Sequence, residues 1–154
     1  MVSDIIRFDN NRPLSIDVVK NNIINGDCLE VMKALPAKSI DIIITSPPYN
    51  LLNSTGNGLK KNTNCGKWKN AAIKDGYKDY DDNMPYPEYI EWQKVCVSEM
   101  YRLIKDNGAI FYNNKNRVQA GLLQDRREIV KDFPLRQIIT WKRSGAINFN
   151  AGYF

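Results

Sequence analysis

The segment Asp41-Ile42-Ile43-Ile44-Thr45-Ser46-Pro47-Pro48-Tyr49-Asn50 constrains this chain more than any other. Asp41 to Thr45 is the β-branched run expected of a strand covered on both faces. Pro47 and Pro48 end the ladder, because neither has an N–H to donate and each fixes φ near −65°. Pro48 also pushes Pro47 towards an extended conformation. The expected product is a stiff loop at the carboxyl end of a strand, with outward carbonyls, the Ser46 hydroxyl beside them and the flat ring of Tyr49 next in line. An acceptor-rich edge beside a stacking platform suits a planar ring that carries an exocyclic amine. Read alone, Ser-Pro-Pro-Tyr is equally a proline-stiffened surface turn.

Length and composition bound the remaining possibilities. The 154 residues suffice for one domain with one core. The 43% apolar and 25% charged content is that of a soluble globular protein. No apolar run approaches a membrane span, and the charged, broken N-terminus does not read as a signal peptide. Cys28, Cys65 and Cys96 are odd in number and far apart, which points to reduced thiols and a cytoplasmic setting. The absence of histidine removes Ser-His-Asp chemistry, the usual general base and most zinc sites, so no metal is expected. The formal charge is +5, and the stretch Asn53 to Lys78 carries as much by itself, with six lysines against Asp75. Its Lys60, Lys61, Lys67 and Lys69, interleaved with Trp68, are the expected phosphate-facing residues of a basic loop over 51–84. The bland reading is a solvated loop whose lysines keep it soluble.

Periodicity predicts alternating elements. A short strand is expected at 22–25 and a helix from Cys28 to Leu35, capped by Asp27 and stopped by Pro36. The strand at 39–45 follows, then the long loop. A helix from Pro85 to Lys105 carries the apolar stripe Tyr89, Trp92, Cys96, Met100 and Leu103, and Asn107-Gly108 closes it. A strand at 109–113, a helix from Asn116 to Val130 with Val118, Leu122 and Ile129 inward, and a strand at 135–141 complete the pattern. Residues 1–21 read as irregular. Cys96 reads as core, and Trp141 as core or, equally, as a second ring stacking on a planar substrate. Strands alternating with helices define an α/β layered sheet.

Thr45-Ser46-Pro47-Pro48-Tyr49-Asn50 resembles the catalytic loop of the amino DNA methyltransferases, which methylate adenine N6 or cytosine N4 from S-adenosylmethionine. Its flanks strengthen the resemblance. Asn25-Gly26-Asp27-Cys28-Leu29-Glu30 and Leu35-Pro36-Ala37-Lys38-Ser39-Ile40-Asp41 precede it in the order of the family's β-type circular permutation. Tyr80-Asp81-Asp82, Glu88-Tyr89-Ile90-Glu91-Trp92, Gly108-Ala109-Ile110 and Ile138-Ile139-Thr140-Trp141-Lys142 resemble the segments that follow. The likeness runs from about residue 21 to the end.

The resemblance implies direct methyl transfer to a base flipped out of double-stranded DNA. In it Ser46 and the Pro47 carbonyl hold the amine, Pro48 stiffens the loop and Tyr49 stacks on the base. Asn50 supports the loop at the substrate's edge. Asp27 and Cys28 lie where relatives contact the cofactor; for Asp27 a plain helix cap is an equal reading, and one residue can do both. Serine at position 46 favours cytosine N4 over adenine N6. One departure stands out: the family's Phe-x-Gly-x-Gly cofactor turn is not found. The expectation is therefore an incomplete Rossmann-like S-adenosylmethionine-dependent sheet with flanking helices, residues 1–154 forming the catalytic portion. Such a sheet would expose an apolar edge and invite a second copy or a complementing C-terminal half. The competing expectation is an inactive remnant that binds DNA or another chain.

Overall fold

The computed structural model describes residues 5–9, 12–50, 77, 80, 82–119 and 122–141. Lys60, Lys61, Lys67 and Lys69, and most of the basic stretch around them, lie outside the described residues. Among the described residues the fold holds two strand–helix–strand units, a helix between them and one hairpin. The first unit is β1 (Ile5–Arg7), α1 (Ile16–Val19) and β2 (Ile23–Asn25), with β1 and β2 parallel and Ile5 opposite Ile23. Helix α2 (Cys28–Ala34) leads to the second unit, β3 (Ile40–Thr45), α3 (Tyr86–Leu103) and β4 (Ile104–Tyr112). Strands β3 and β4 are parallel, with Ile43 opposite Ile110 and Thr45 opposite Tyr112. The antiparallel pair β5 (Arg117–Gln119) and β6 (Leu122–Gln124) runs into a short 3₁₀ helix, Arg126–Ile129.

The core lies between α3 and one face of the β3–β4 pair. Tyr89, Ile90, Val97 and Ile129 form its buried centre, with Trp92, Tyr112 and Phe133 packed against them. Most of the predicted stripe on α3 is inside: Tyr89, Cys96, Met100 and Leu103 are buried. A Pro at its start, Glu88 in its first turn and Arg102 in its last follow helix-end preferences. Arg102 also ties α3 to α2, donating from Nη2 to the Met32 carbonyl at 2.7 Å and from Nη1 to the Leu35 carbonyl at 3.0 Å. The Met32 carbonyl also accepts the Leu35 N–H at 3.1 Å, and a cation at these last carbonyls stabilises the end of α2. The last carbonyls of α3 are caught in turn by Lys38 N–H and Ser39 N–H, at 3.0 and 2.9 Å, just before β3 begins.

Several expectations are corrected. Residues 1–21 are not wholly irregular, since they hold β1 and α1, the latter capped by Ser15. Asn107-Gly108 does not close α3. The helix ends at Leu103, β4 starts at once, and Gly108 lies inside that strand. The helix expected over 116–130 is the β5–β6 hairpin and the 3₁₀ turn; Leu122 is exposed and only Ile129 of its supposed stripe is buried. No strand forms at 135–141 among the described residues, and Leu135, Ile138 and Ile139 are exposed. Trp141 is 76% exposed rather than core.

The expectation that β3 is covered on both faces fails as well. Ile43 and Thr45 are half-buried, whereas Ile42 and Ile44 on the other face are 58% and 79% exposed, next to Phe111 at 48%. The three two-stranded sheets share no described ladder.

Gly108 sits where the β3 backbone leaves no room for a side chain. A Cβ there would lie 2.6 Å from the Asp41 carbonyl oxygen and 2.7 Å from Ile104 Cγ1. Because the first obstacle is backbone, Gly108→Ala is expected to lower stability by about 1–3 kcal/mol. A urea midpoint equal to that of the wild type would show that the strands can separate without cost.

Candidate active site

The site is built at the carboxyl ends of β3 and β4. The Asn113 N–H bonds the Thr45 carbonyl at 2.9 Å, which carries the parallel ladder one rung past β3. Beyond it the prolines take over. Ser46 is exposed, Pro47 is buried, and Pro48 and Tyr49 are half-buried.

Asn50 locks the loop's far end. Its φ is 56°, in the left-handed region that Asn tolerates better than most residues. Its N–H donates to Asp82 Oδ1 at 2.7 Å, its Nδ2 to the Met84 carbonyl at 2.6 Å, and its Oδ1 accepts from Met84 N–H at 2.8 Å. Arg117 Nη1 donates to its carbonyl at 2.6 Å. Asn50 and Asp82 are 2% and 1% exposed. Expected at the substrate's edge, Asn50 instead faces inward with every polar group engaged; the geometry gives it the loop-shaping part of its expected role.

A second support comes from beneath. The Pro48 carbonyl accepts from Tyr89 Oη at 2.9 Å, and Arg126 Nη1 donates to that same hydroxyl at 2.8 Å. Arg126 is 1% exposed and its guanidinium carbon lies 4.5 Å from the Tyr89 ring centroid. Burial, opposed by the Arg126 charge, pushes the Tyr89 hydroxyl up to about 12, so it stays protonated as a donor. Asn114 and Asn116 fix Arg126 in place. Asn114 Nδ2 donates to its carbonyl at 3.2 Å, and Asn116 Oδ1 accepts its N–H at 3.0 Å.

At the loop's open side, Ser46 Oγ lies 2.6 Å from Tyr49 Oη. Asn113 Nδ2 reaches both, at 3.2 Å to Ser46 Oγ and 2.8 Å to Tyr49 Oη. Sequence reasoning passed over Asn113, Tyr89 and Arg126 as site residues. For Asn113 a signal existed: it directly follows a strand, and in parallel sheets ligands gather beyond the carboxyl ends. Arg126 had none, because its partner lies 37 positions away.

Asp27 caps α2, its Oδ1 accepting from Leu29 N–H at 2.9 Å and Glu30 N–H at 3.1 Å. Cys28 is exposed in the first turn and hydrogen-bonds buried Cys96 of α3. That bond, chiefly, lowers the Cys28 thiol to about 7, against burial and the Asp27 charge. The bond to Cys28 and burial raise Cys96 in return. Tyr80, where the basic stretch returns, stacks on Trp92 of α3 with centroids 5.7 Å apart.

A rigid loop at the carboxyl ends of parallel strands, carrying a hydroxyl beside an aromatic ring, is an arrangement that can receive a planar, amine-bearing ring. Comparison with known proteins sharpens this class. Residues 40–154 match the DNA methylase family of N6 and N4 methyltransferases, and the chain belongs to that family. It is 33% identical over 112 residues to the Type II methyltransferase M.MjaVI of Methanocaldococcus jannaschii, covering 71% of this chain and 44% of that protein. It is 27% identical over 138 residues to the Type II methyltransferase M.HinfI of Haemophilus influenzae, covering 87% of this chain and 35% of that one. The chain thus spans less than half the length of either relative. No helix among the described residues is long and apolar enough to cross a membrane.

Two outcomes test this geometry. Asn50→Ala loses both side-chain bonds and strains the left-handed backbone, and should cost about 2–3 kcal/mol in chemical denaturation. Asn50→Gly restores the backbone freedom alone and should fall between the two; a glycine variant no better than alanine would remove the φ argument. Separately, alkylation of Cys28 by iodoacetamide should rise with pH through a midpoint near 7. The hydrogen bond favours the charged form, so Cys96→Ala should move that midpoint upward, towards the ordinary thiol value of 9.0. An unmoved midpoint would exclude Cys96 as the cause.

Proposed function

We propose that this chain carries the catalytic portion of a site-specific DNA methyltransferase of the bacterial-type restriction–modification class, acting in the cytoplasm on a base flipped from double-stranded DNA. The single observation that supports this most is the Ser46-Pro47-Pro48-Tyr49 loop, held from both ends and from below while Ser46 and Tyr49 remain at its open side. Serine at position 46 favours cytosine N4 over adenine N6.

An exocyclic amine is a poor nucleophile because its lone pair is delocalised into the ring. Ser46 Oγ, with the Pro47 carbonyl, would accept the amine's N–H bonds, draw the nitrogen towards tetrahedral geometry and localise that pair. Acceptors already aimed, on a loop that Asn50 and Tyr89 keep from relaxing, need no reorganisation at the moment of reaction. Tyr49 would stack on the base, worth about 1–3 kcal/mol in single-stranded binders. The nitrogen's surplus proton would leave to water once its new bond to carbon forms. No covalent link to the protein is required.

The cofactor in this reading is S-adenosylmethionine, which when bound supplies a methyl group on a positively charged sulfur that departs as a neutral thioether. Asp27 fits a place beside it. Only Oδ1 is used in capping α2, and Asp27 is exposed, so Oδ2 can accept from a hydroxyl or amine. Cys28 adjoins it. Lys60, Lys61, Lys67 and Lys69 would meet the DNA backbone, giving binding that weakens with salt.

The open Ile42, Ile44 and Phe111 face supports a further part of the reading. Parallel strands are normally covered on both faces. We propose that a complementing C-terminal half, or a second copy, covers this face and completes a Rossmann-like sheet. The same face is what favours the second reading, a non-catalytic portion that binds DNA or its complement.

The decisive assay is transfer of labelled methyl from S-adenosylmethionine to unmethylated DNA, followed by nucleoside digestion and mass spectrometry. N4-methylcytosine is expected, and Ser46→Ala should lower kcat/KM by about 100-fold. A folded sample that binds DNA in a salt-dependent way, gives no heat with the cofactor and makes no product would support the non-catalytic reading. For the open face, light scattering should report an oligomer that Ile44→Asp with Phe111→Asp converts to monomer; a wild-type monomer would rule out the second copy.

A further inference from the structure

We infer that Asn113 reads the target base, its Nδ2 donating to the ring nitrogen beside the exocyclic amine while Ser46 Oγ accepts from the amine itself. This inference rests on the methyltransferase reading above and names a specificity residue within it.

Hydrogen-bond polarity distinguishes the two groups. Asn113 Nδ2 can only donate, and it stands 3.2 Å from Ser46 Oγ, an oxygen with lone pairs to offer. A donor and an acceptor are thus presented side by side on the open side of the loop. The Tyr49 hydroxyl spans them in the free protein, 2.6 Å from Ser46 Oγ and 2.8 Å from Asn113 Nδ2. A hydroxyl can donate to one and accept from the other at once. Its place is therefore one that suits a group donating towards Ser46 and accepting from Asn113.

The Watson–Crick edges of cytosine and adenine have that order. In each, an amine that donates adjoins a ring nitrogen that accepts. Guanine and thymine present the reverse, a carbonyl beside a ring N–H, which would set acceptor against acceptor and donor against donor. Unpaired groups at a desolvated edge are costly, so such a pair selects the two amino bases that can be methylated. On base entry the Tyr49 hydroxyl gives up this position and its ring turns to stack.

Asn113 is suited to the task by its anchoring. Its N–H is fixed to the Thr45 carbonyl at 2.9 Å, so the side chain projects from the last rung of the β3–β4 ladder, and it is exposed. Its neighbour Asn114 is not available, because Nδ2 is bonded to the Arg126 carbonyl and Oδ1 to Lys115 N–H at 2.7 Å.

The test replaces one atom of the substrate. Once the methylated base has been mapped, DNA is made with its deaza analogue, 3-deazacytosine or 1-deazaadenine, in which C–H replaces the ring nitrogen and the amine is kept. Wild-type protein should lose about tenfold or more in kcat/KM on the analogue. Asn113→Ala should lose a similar factor on the natural base and no further activity on the analogue, since both changes remove the same bond. Equal wild-type rates on both DNAs would overturn the assignment without any variant needing to fold. So would an Asn113→Ala enzyme that still discriminates, because Asn113 would then act only through Ser46 and Tyr49. Failure of the wild type on the natural base is distinguishable from both results and would take down the methyltransferase reading together with this one.

Discussion

The hydrogen bonds around Asn50 are the constraint on which the rest of the site depends. Two prolines can stiffen a loop, but they cannot aim it, because they remove donors and add none. Asn50 supplies the aim. Its left-handed backbone ends the extended loop, and its side chain joins the loop to Met84, two residues before α3 begins. Asp82 and Arg117 hold its two backbone groups. Arg117 is itself pulled below its ordinary value, chiefly by burial and then by Arg126. The half-buried Arg117 and the buried carboxylate of Asp82, acting on the two backbone groups of Asn50, make a latch that leaves little freedom to the loop it closes.

The second support shows the same economy. Tyr89 belongs to the core by its ring and to the site by its hydroxyl, which reaches the Pro48 carbonyl. Arg126 secures that hydroxyl, although its Nε and Nη2 find no hydrogen-bond partner among the described residues. An incompletely bonded buried guanidinium is costly, and the aromatic face beneath it offsets only part of that cost. Stability is given up close to the loop, as is common where function fixes geometry.

Much of this was legible in the sequence for local reasons. The β-branched run of β3, the Asp27 cap of α2 and the stripe of α3 are short-range patterns. The segment from 116 to 130 was not legible. Val118, Leu122 and Ile129 have helical spacing, yet Val118 and Leu123 pair across a hairpin and Ile129 alone reaches the core. Asn114 and Asn116 grip the backbone of Arg126 and bury its charge, a tertiary demand that outweighs periodicity. Residues 135–141 fail as a strand for a related reason. β-propensity needs a neighbouring strand to bond, and the described residues provide none there.

By itself the sequence determined the stiffness and polarity of the Ser46–Tyr49 loop, because proline dihedrals and the order of residues along a strand are properties of the chain. It also determined the family, through an ordered series of short motifs. Only the tertiary structure decided which distant groups meet that loop. Asn113 comes to Ser46 because β4 pairs parallel to β3, and Tyr89 and Arg126 come to Pro48 because α3 packs on that pair. The open Ile42–Ile44–Phe111 face was decided there too. An apolar run prescribes burial on both sides of a strand, but only packing reveals which side has been covered.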